Sequence, residues 1–440
     1  MVVAAASVLA AGTFTQAAGA AEETASSSAR AVSGVAAAAV PAGFADWDAV
    51  MREQQRLNRA ATAIQNAAQK TEGDSGLAGI RVKPEDRRVV VYWYGAVPQT
   101  VRKVMDRQRT KVPVKVVSAR YSRAELLNES HRLQAAKDLA QIAPRVDGSG
   151  LDVKLAAHHR KSTSSPTVRE LAARSRVNVT VNPHPVTIGS GAVETARPVP
   201  RASKHSLTTW TNPCPTLNYF PYYVDCRAYE KANGPRAGAR LMECTNGFTI
   251  ITGTGQYRVL IAAHCGQVGD PLHRIDGTVA GLVEVRDEES DTAITNVSGP
   301  RNSMWIGNYK SVTAKTVAGA SASFVDNLVC TSGAHSGEVC NIRVTETGLF
   351  ANFPDGTVHG PFVRALQQDG LSAGGSGDSG GPVFEYVPGQ SYVLAKGVFN
   401  GSIAGAPVQC NDPLQATCSA DIMYADITET LKRFGARIAT

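Results

Sequence analysis

None of the eight cysteines of this 440-residue chain lies before residue 214; they stand at 214, 226, 244, 265, 330, 340, 410 and 418. An even set confined to one region reads as a disulfide framework, which forms and persists in an oxidising compartment. No CxxC spacing occurs, so a zinc site is disfavoured, and no metal or other cofactor is expected. The expected pairing joins each cysteine to its neighbour in the chain: Cys214–Cys226, Cys244–Cys265, Cys330–Cys340 and Cys410–Cys418. Spacing alone leaves other connectivities open.

The same region reads as β structure. Short apolar runs at 248–251, 257–263, 278–285, 291–297, 311–317, 341–345, 382–386 and 392–399 alternate with Gly, Asn, Asp and Pro turns. Many short strands at this spacing, without intervening helices, suggest paired barrels or a sandwich. Only the tail, 427–434, has a helical pattern.

The first half differs. Residues 44–70 carry apolar residues at helical spacing, and 88–94 is a β-branched and aromatic run that reads as a strand. Pro98 opens a helix to about Arg109, and 112–117 reads as a second strand. Ser122 and Glu125 form a capping box for a helix expected to reach Ala143. Alternating strands and helices point to an α/β domain over 44–200, closed by a basic, proline-containing linker at 197–204. No catalytic constellation stands in 40–200. The adjacent His158 and His159 would face opposite sides of a strand and read as surface residues.

Residues 1–21 are rich in Ala, Val, Leu and Gly, with small residues at 17–20, and read as a signal-like segment without a basic start. An Ala/Ser linker follows over 22–43. Thr and Gln interrupt the apolar leader, and no other stretch is long enough to span a bilayer, so no membrane partner is expected. With the cysteines, this predicts a secreted, extracellular protein. Charge divides the chain at the same place. Residues 1–205 hold 29 Lys+Arg against 17 Asp+Glu, while 206–440 hold 16 against 21. A basic first half beside an acidic second half fits partners within one chain. Nucleic acid is not an expected partner, since no RNP, zinc-finger or helix-turn-helix pattern occurs.

The chemistry concentrates in three short motifs. Gly377-Asp378-Ser379-Gly380-Gly381-Pro382 sets a serine between glycines, which let the backbone bend tightly. The N–H groups of Gly377 and Ser379 would then converge on a developing oxyanion. A serine hydroxyl needs a base, and that base needs an acid. His264 ends the run Leu260–His264, and Asp291 heads the apolar stretch Asp291–Ile294. The order His264, Asp291, Ser379 matches one of the known triad lineages and disfavours an α/β-hydrolase esterase.

The GDSGGP, AAHC and DTAI motifs resemble the chymotrypsin-like serine proteases, in particular the bacterial secreted branch of streptogrisin and α-lytic protease relatives. Cys330–Cys340 is similar to a cysteine loop of that branch. The resemblance implies a mainly β catalytic domain, 206–440, of two six-stranded antiparallel β-barrels with the triad between them, preceded by an α/β pro-domain. It implies a Cys244–Cys265 bridge that tethers the histidine strand. It also implies a pro-region, about 22–200, that assists folding and inhibits the site before removal. Protein or peptide substrates follow from the same resemblance. Aligned on the nucleophile, Ala373 falls at the base of the primary pocket with Gly374 and Gly375 beside it. Asn400, Gly401 and Ser402 resemble the segment that binds substrate backbone. With no acid there, cleavage after uncharged residues is expected.

Two departures stand out. Residues 373–376 lack the cysteine often found just before GDSGG, which leaves Cys410 to another partner. Thr331 and Ser332 also stand where the branch carries an internal arginine, so a buried Asp378 needs another cationic or hydrogen-bonded partner, with Arg343 and Arg364 as the cationic candidates. The rival reading is a non-catalytic binding module on a protease-like fold.

Overall fold

The computed structural model describes residues 39–157, 166–190 and 235–440, apart from 72, 135, 137, 275–276, 312, 354–355, 405–407 and 414, together with two short strands at 218–219 and 222–223. The signal-like segment, most of the linker after it, His158, His159, Cys214 and Cys226 lie outside the described residues. No described helix is long and apolar enough to cross a membrane.

Helix α1 (Trp47–Gln69) starts at Asp46, whose side chain accepts from the Ala49 N–H. Its buried stripe of Leu57, Ala60, Ala61 and Ile64 packs on a three-stranded sheet, β1 (Leu77–Lys83), β2 (Arg88–Trp93) and β3 (Val114–Ser118). Helix α2 (Gln99–Arg109) crosses between the parallel strands β2 and β3. Helix α3 (Arg123–Leu133) carries the expected capping box, Ser122 with Glu125. It stops ten residues short of the expected Ala143, because Leu139–Pro144 is strand β4. All six residues of β4 are buried, and it pairs with β5 (Leu151–Ala156). Local helix propensity loses here to pairing on both edges. After the short helix α4 (Val168–Ala172), strand β6 (Val179–Ser190) lies parallel to β5.

In the second half, after the short strands β7 (Asn218–Tyr219) and β8 (Tyr222–Tyr223), a six-stranded sheet forms. Its spatial order is β11 (Pro271–His273), β12 (Val279–Asp287), β13 (Thr292–Thr295), β10 (Tyr257–Ala262), β9 (Thr249–Ile251) and β24 (Arg437–Ile438). Strand β24 comes from the far end of the chain, after helix α5 (Ile427–Arg433). The second unit is a closed six-stranded ring: β16 (Leu328–Gly333), β17 (Gly337–Asn352), β18 (Val358–Gln367), β23 (Asp421–Asp426), β21 (Tyr392–Ala404) and β20 (Pro382–Tyr386). Its core holds Val344, Val363, Val383, Phe399 and Tyr424. Strands β14 (Ser303–Ile306) and β15 (Thr313–Ala320) extend it beside β21. Two short strands, β19 (Gly374–Gly375) and β22 (Cys418–Ser419), pair with each other. The chain is mainly β, with its helices gathered in the first half and one near the end.

The two halves share sheet and core. Strand β4 pairs antiparallel with β17, and β6 pairs antiparallel with β21. Ala322 and Phe324 enter the apolar cluster of α1 and β1–β3. Helix α1 also inserts polar groups. Gln54 exchanges hydrogen bonds with the backbone of Leu328, and its amide reaches Glu385 at 3.2 Å. Asn58 donates to Glu385 at 3.1 Å, and Lys396 sits 3.2 Å from the same carboxylate. Gln54, Asn58, Glu385 and Lys396 are all buried, so each depends on the others for satisfaction.

Candidate active site

Strand β10 carries three fully buried residues, Leu260 to Ala262, into the core and ends in a single 3-10 turn holding His264. The Cys244–Cys265 disulfide ties that turn to the segment before β9. Asp291 sits just before β13, which pairs with β10 in register Ala262↔Thr292. Register therefore brings the imidazole and carboxylate together. Asp291 Oδ2 lies 2.7 Å from His264 Nδ1, and its Oδ1 accepts from the His264 N–H at 2.9 Å. The Asp291 backbone is left-handed at φ 49°, a conformation that aspartate tolerates better than most residues.

Asn400 completes this cluster. Its amide donates to Asp291 Oδ2 at 3.0 Å and to the Asp291 carbonyl at 2.6 Å, while its Oδ1 accepts from Ala425 N–H. Burial pushes the Asp291 carboxyl up. The charge and hydrogen bond of His264, with the Asn400 amide, pull it down by more and leave it below the ordinary carboxylate range. The sequence reading put Asn400 among the substrate-binding residues. That expectation concerned its backbone; its side chain turns inward to the acid and is fully buried.

Ser379 lies on the turn between β19 and β20, with Gly377 at φ 85° and Gly380 at φ 87°. Both glycines are required. A Cβ on Gly380 would lie 2.5 Å from the Thr245 carbonyl, and one on Gly377 would lie 2.6 Å from the His335 ring. The Ser379 carbonyl accepts from Thr245 N–H at 2.8 Å and lies 3.9 Å from the Cys265 sulfur, so the serine turn abuts the histidine turn. Ser379 Oγ is buried and makes no hydrogen bond here. Contacts of this kind are commonly long without substrate and tighten in the reacting complex. The N–H groups of Asp378, Gly380 and Gly381 donate to backbone carbonyls, whereas those of Gly377 and Ser379 donate to none among the described residues.

Among the described residues Asp378 has no arginine partner. Arg343 pairs with Glu85 of the first half, and Arg364 pairs with Asp421 and Glu346. Five donors hold the Asp378 carboxylate instead: His335 N–H at 3.0 Å, Ser336 N–H at 3.1 Å, Ser336 Oγ at 2.5 Å, Gly375 N–H at 2.9 Å and Gln415 Nε2 at 2.8 Å. Of the two kinds of partner expected, cationic or hydrogen-bonded, the described residues supply the second. Hydrogen bonding alone meets the cost of burying this charge.

The remaining expected site residues fall as follows. Ala373 is fully buried in the ring's apolar core beside Phe399 and Tyr424, so its methyl does not floor an open pocket. Gly374 packs directly under the Phe399 ring, and Gly375 against the Thr417 carbonyl. Gly401 and Ser402 lie on β21 opposite Ser190 and Gly189 of β6. Cys330–Cys340 and Cys410–Cys418 are bonded as paired in the sequence reading. Sequence reasoning missed Asn400 as the support of Asp291, and it missed Ser336 and Gln415, which only the fold brings together.

No protein-family model matches the chain. Over 169 residues it is 25% identical to streptogrisin-C of Streptomyces griseus, a match covering 32% of this chain and 34% of that protein. The chain thus spans about a third of the length of that relative. Among solved structures, a Cellulomonas bogoriensis chymotrypsin is 22% identical with a TM-score of 0.36, covering 47% of this chain and 98% of that one. The Nocardiopsis protease has the same identity, coverage and TM-score. Thermobifida fusca protease A is 21% identical with a TM-score of 0.36 and the same coverage. The streptogrisin-C match agrees with the resemblance to the chymotrypsin-like serine proteases carried by the GDSGGP, AAHC and DTAI residues.

Proposed function

We propose that this chain is a secreted serine endopeptidase made as a zymogen. The observation that carries the reading is the buried Asp291 carboxylate, held by Asn400 and bonded to His264 Nδ1 at 2.7 Å beside the serine turn. In that arrangement Asp291 fixes the tautomer that leaves His264 Nε2 basic. His264 takes the Ser379 proton as the hydroxyl attacks a peptide carbonyl. The Gly377 and Ser379 N–H groups hold the oxyanion, and His264 then protonates the leaving amine. Water repeats the sequence on the acyl-enzyme.

The first half is the inhibitor in this reading. Strand β6 lies antiparallel along Gly401–Ala404, and antiparallel addition to a sheet edge is a common way to bind a peptide. The strand runs toward Asn400 and hence toward Asp291. Three disulfides among the described residues support an extracellular setting. No acid stands at 373–375 or 400–402, which favours uncharged residues at the cleavage site.

A fluorophosphonate probe tests the reading. Matured protein is expected to label at Ser379, and Ser379→Ala to abolish labelling. Matured protein that has not been treated with the probe, profiled on a peptide library, is expected to cut after uncharged residues. An unreactive matured chain would support the non-catalytic binding module, and dominant cleavage after arginine would overturn the preference for uncharged residues.

A further inference from the structure

A second histidine–carboxylate pair stands behind the serine turn. His335 Nδ1 lies 2.8 Å from Asp412 Oδ2, and both residues are more than nine-tenths buried. His335 sits at the tip of the β16–β17 hairpin, within the span of the Cys330–Cys340 disulfide. Asp412 sits inside the loop closed by Cys410–Cys418. The two cross-links therefore present the pair from two independent elements. With Nδ1 engaged by the carboxylate, the other edge of the ring faces Gly377. A Cβ there would lie 2.6 Å from His335 Cδ2 and 2.8 Å from Nε2.

The peptide that bears the Gly377 N–H is fixed from the same direction. Its carbonyl, that of Ser376, accepts from Gln415 Nε2 at 3.0 Å. Gln415 is set in turn by its own N–H, which donates to the Asp412 carbonyl at 3.0 Å. On the other side, the Gly377 carbonyl accepts from Thr245 Oγ1 at 2.8 Å. The carbonyl and N–H of one peptide point in opposite directions. Holding the Ser376 carbonyl toward Gln415 therefore aims the Gly377 N–H away from it. The flat His335 ring packs against Gly377 on the side where a Cβ would stand and so restricts the backbone torsions there.

We infer that His335, oriented by Asp412, is a positioning residue that holds the Ser376–Gly377 peptide so that the Gly377 N–H is offered to the reacting oxyanion. The inference rests on the protease reading of the site. His335 touches no substrate atom in this role. Its effect passes through Gly377 and falls on the tetrahedral species rather than on ground-state binding, where the carbonyl oxygen carries little charge.

The test uses the full chain, matured by a trace of tagged wild-type enzyme that is then removed, with rates normalised to titrated active sites. His335→Ala is expected to lower kcat by about 10- to 100-fold, a share of the roughly 10²–10³ that loss of one oxyanion donor costs. KM should change by less than about twofold, and affinity for a peptide boronic acid, which forms a tetrahedral adduct, should fall by the same factor as kcat. His335→Gln, which keeps a donor for Asp412 and a flat group on Gly377, is expected to recover most of the loss. Adding Asp412→Asn to His335→Ala should cost nothing further. Should His335→Ala fail to fold, Asp412→Asn alone decides by the same split between kcat and KM. A folded variant with kcat and boronate affinity within about twofold of wild type would overturn the inference, as would a loss confined to KM. A wild-type chain unreactive to the fluorophosphonate overturns this inference together with the protease reading, which separates the two failures.

Discussion

Replacing Asp378 with asparagine removes one charge and changes little else in size. The structure indicates what that costs. Oδ1 accepts from two backbone N–H groups, and an asparagine oxygen would keep both. Oδ2 accepts from Ser336 Oγ, Gly375 N–H and Gln415 Nε2, and an amide nitrogen there would face three donors. The Ser336 hydroxyl can rotate and accept, which recovers one contact. The Gly375 N–H cannot move without breaking the β19–β22 pairing. One buried donor left unmet costs about 1–3 kcal/mol, and weakening the charge-assisted bonds adds to it, for a total of about 2–5 kcal/mol. The assay is urea unfolding of the full chain carrying Ser379→Ala to prevent self-cleavage, followed by tryptophan fluorescence, with and without Asp378→Asn. The expected result is a lower midpoint at unchanged slope. A loss under about 1 kcal/mol would refute the claim that five donors, rather than a distant cation, keep this carboxylate in place.

Two further outcomes follow from other buried contacts. Asn400→Ala removes one of the groups that keep Asp291 below its ordinary range, so the carboxyl should titrate higher. A depressed folded-state value contributes stability above the unfolded carboxylate value of about 3.9, and this is lost as pH falls through the folded value. The variant's acid-unfolding midpoint by circular dichroism should therefore move to higher pH; an unmoved midpoint would count against Asn400 as the support of Asp291. Gln54→Ala with Asn58→Ala should leave the Leu328 N–H and Glu385 short of partners. Inhibition of the matured enzyme by the segment 40–190 added in trans should then weaken by about 10- to 100-fold, equivalent to about 1.4–2.8 kcal/mol, and an unchanged inhibition constant would show that the polar insert does not hold the halves together.

What could be read in the sequence was what local pattern encodes. Helices α1 and α2, strand β2 and the Ser122–Glu125 capping box follow from signals within a few residues of each other. The stretch Leu139–Pro144 misled because its alanines favour helix in isolation, while its partners, β5 and β17, lie 7 and about 200 residues away. Of the strands of the closed ring, β16, β18 and β23 went unread, since their pattern is set by burial against neighbouring strands rather than by bounding turns. Within the site, His264, Asp291 and Ser379 were marked by the motifs around them. The support of Asp378 was not, because three of its five donors are backbone N–H groups, which no residue letter announces. The His335–Asp412 pair spans 77 positions with no motif at either end.

The edge of β21 from Gly401 to Ala404 has a single set of main-chain donors and acceptors, and β6 already uses it. Under the protease reading, a peptide to be cut must compete for the hydrogen bonds by which the chain restrains itself. Sharpening that edge to grip foreign chains would also lengthen the enzyme's dormancy, and loosening it would release activity early at the expense of affinity. Selectivity would then have to evolve through side-chain contacts rather than through the ladder, leaving the safety catch and the grip on the backbone bound to one another.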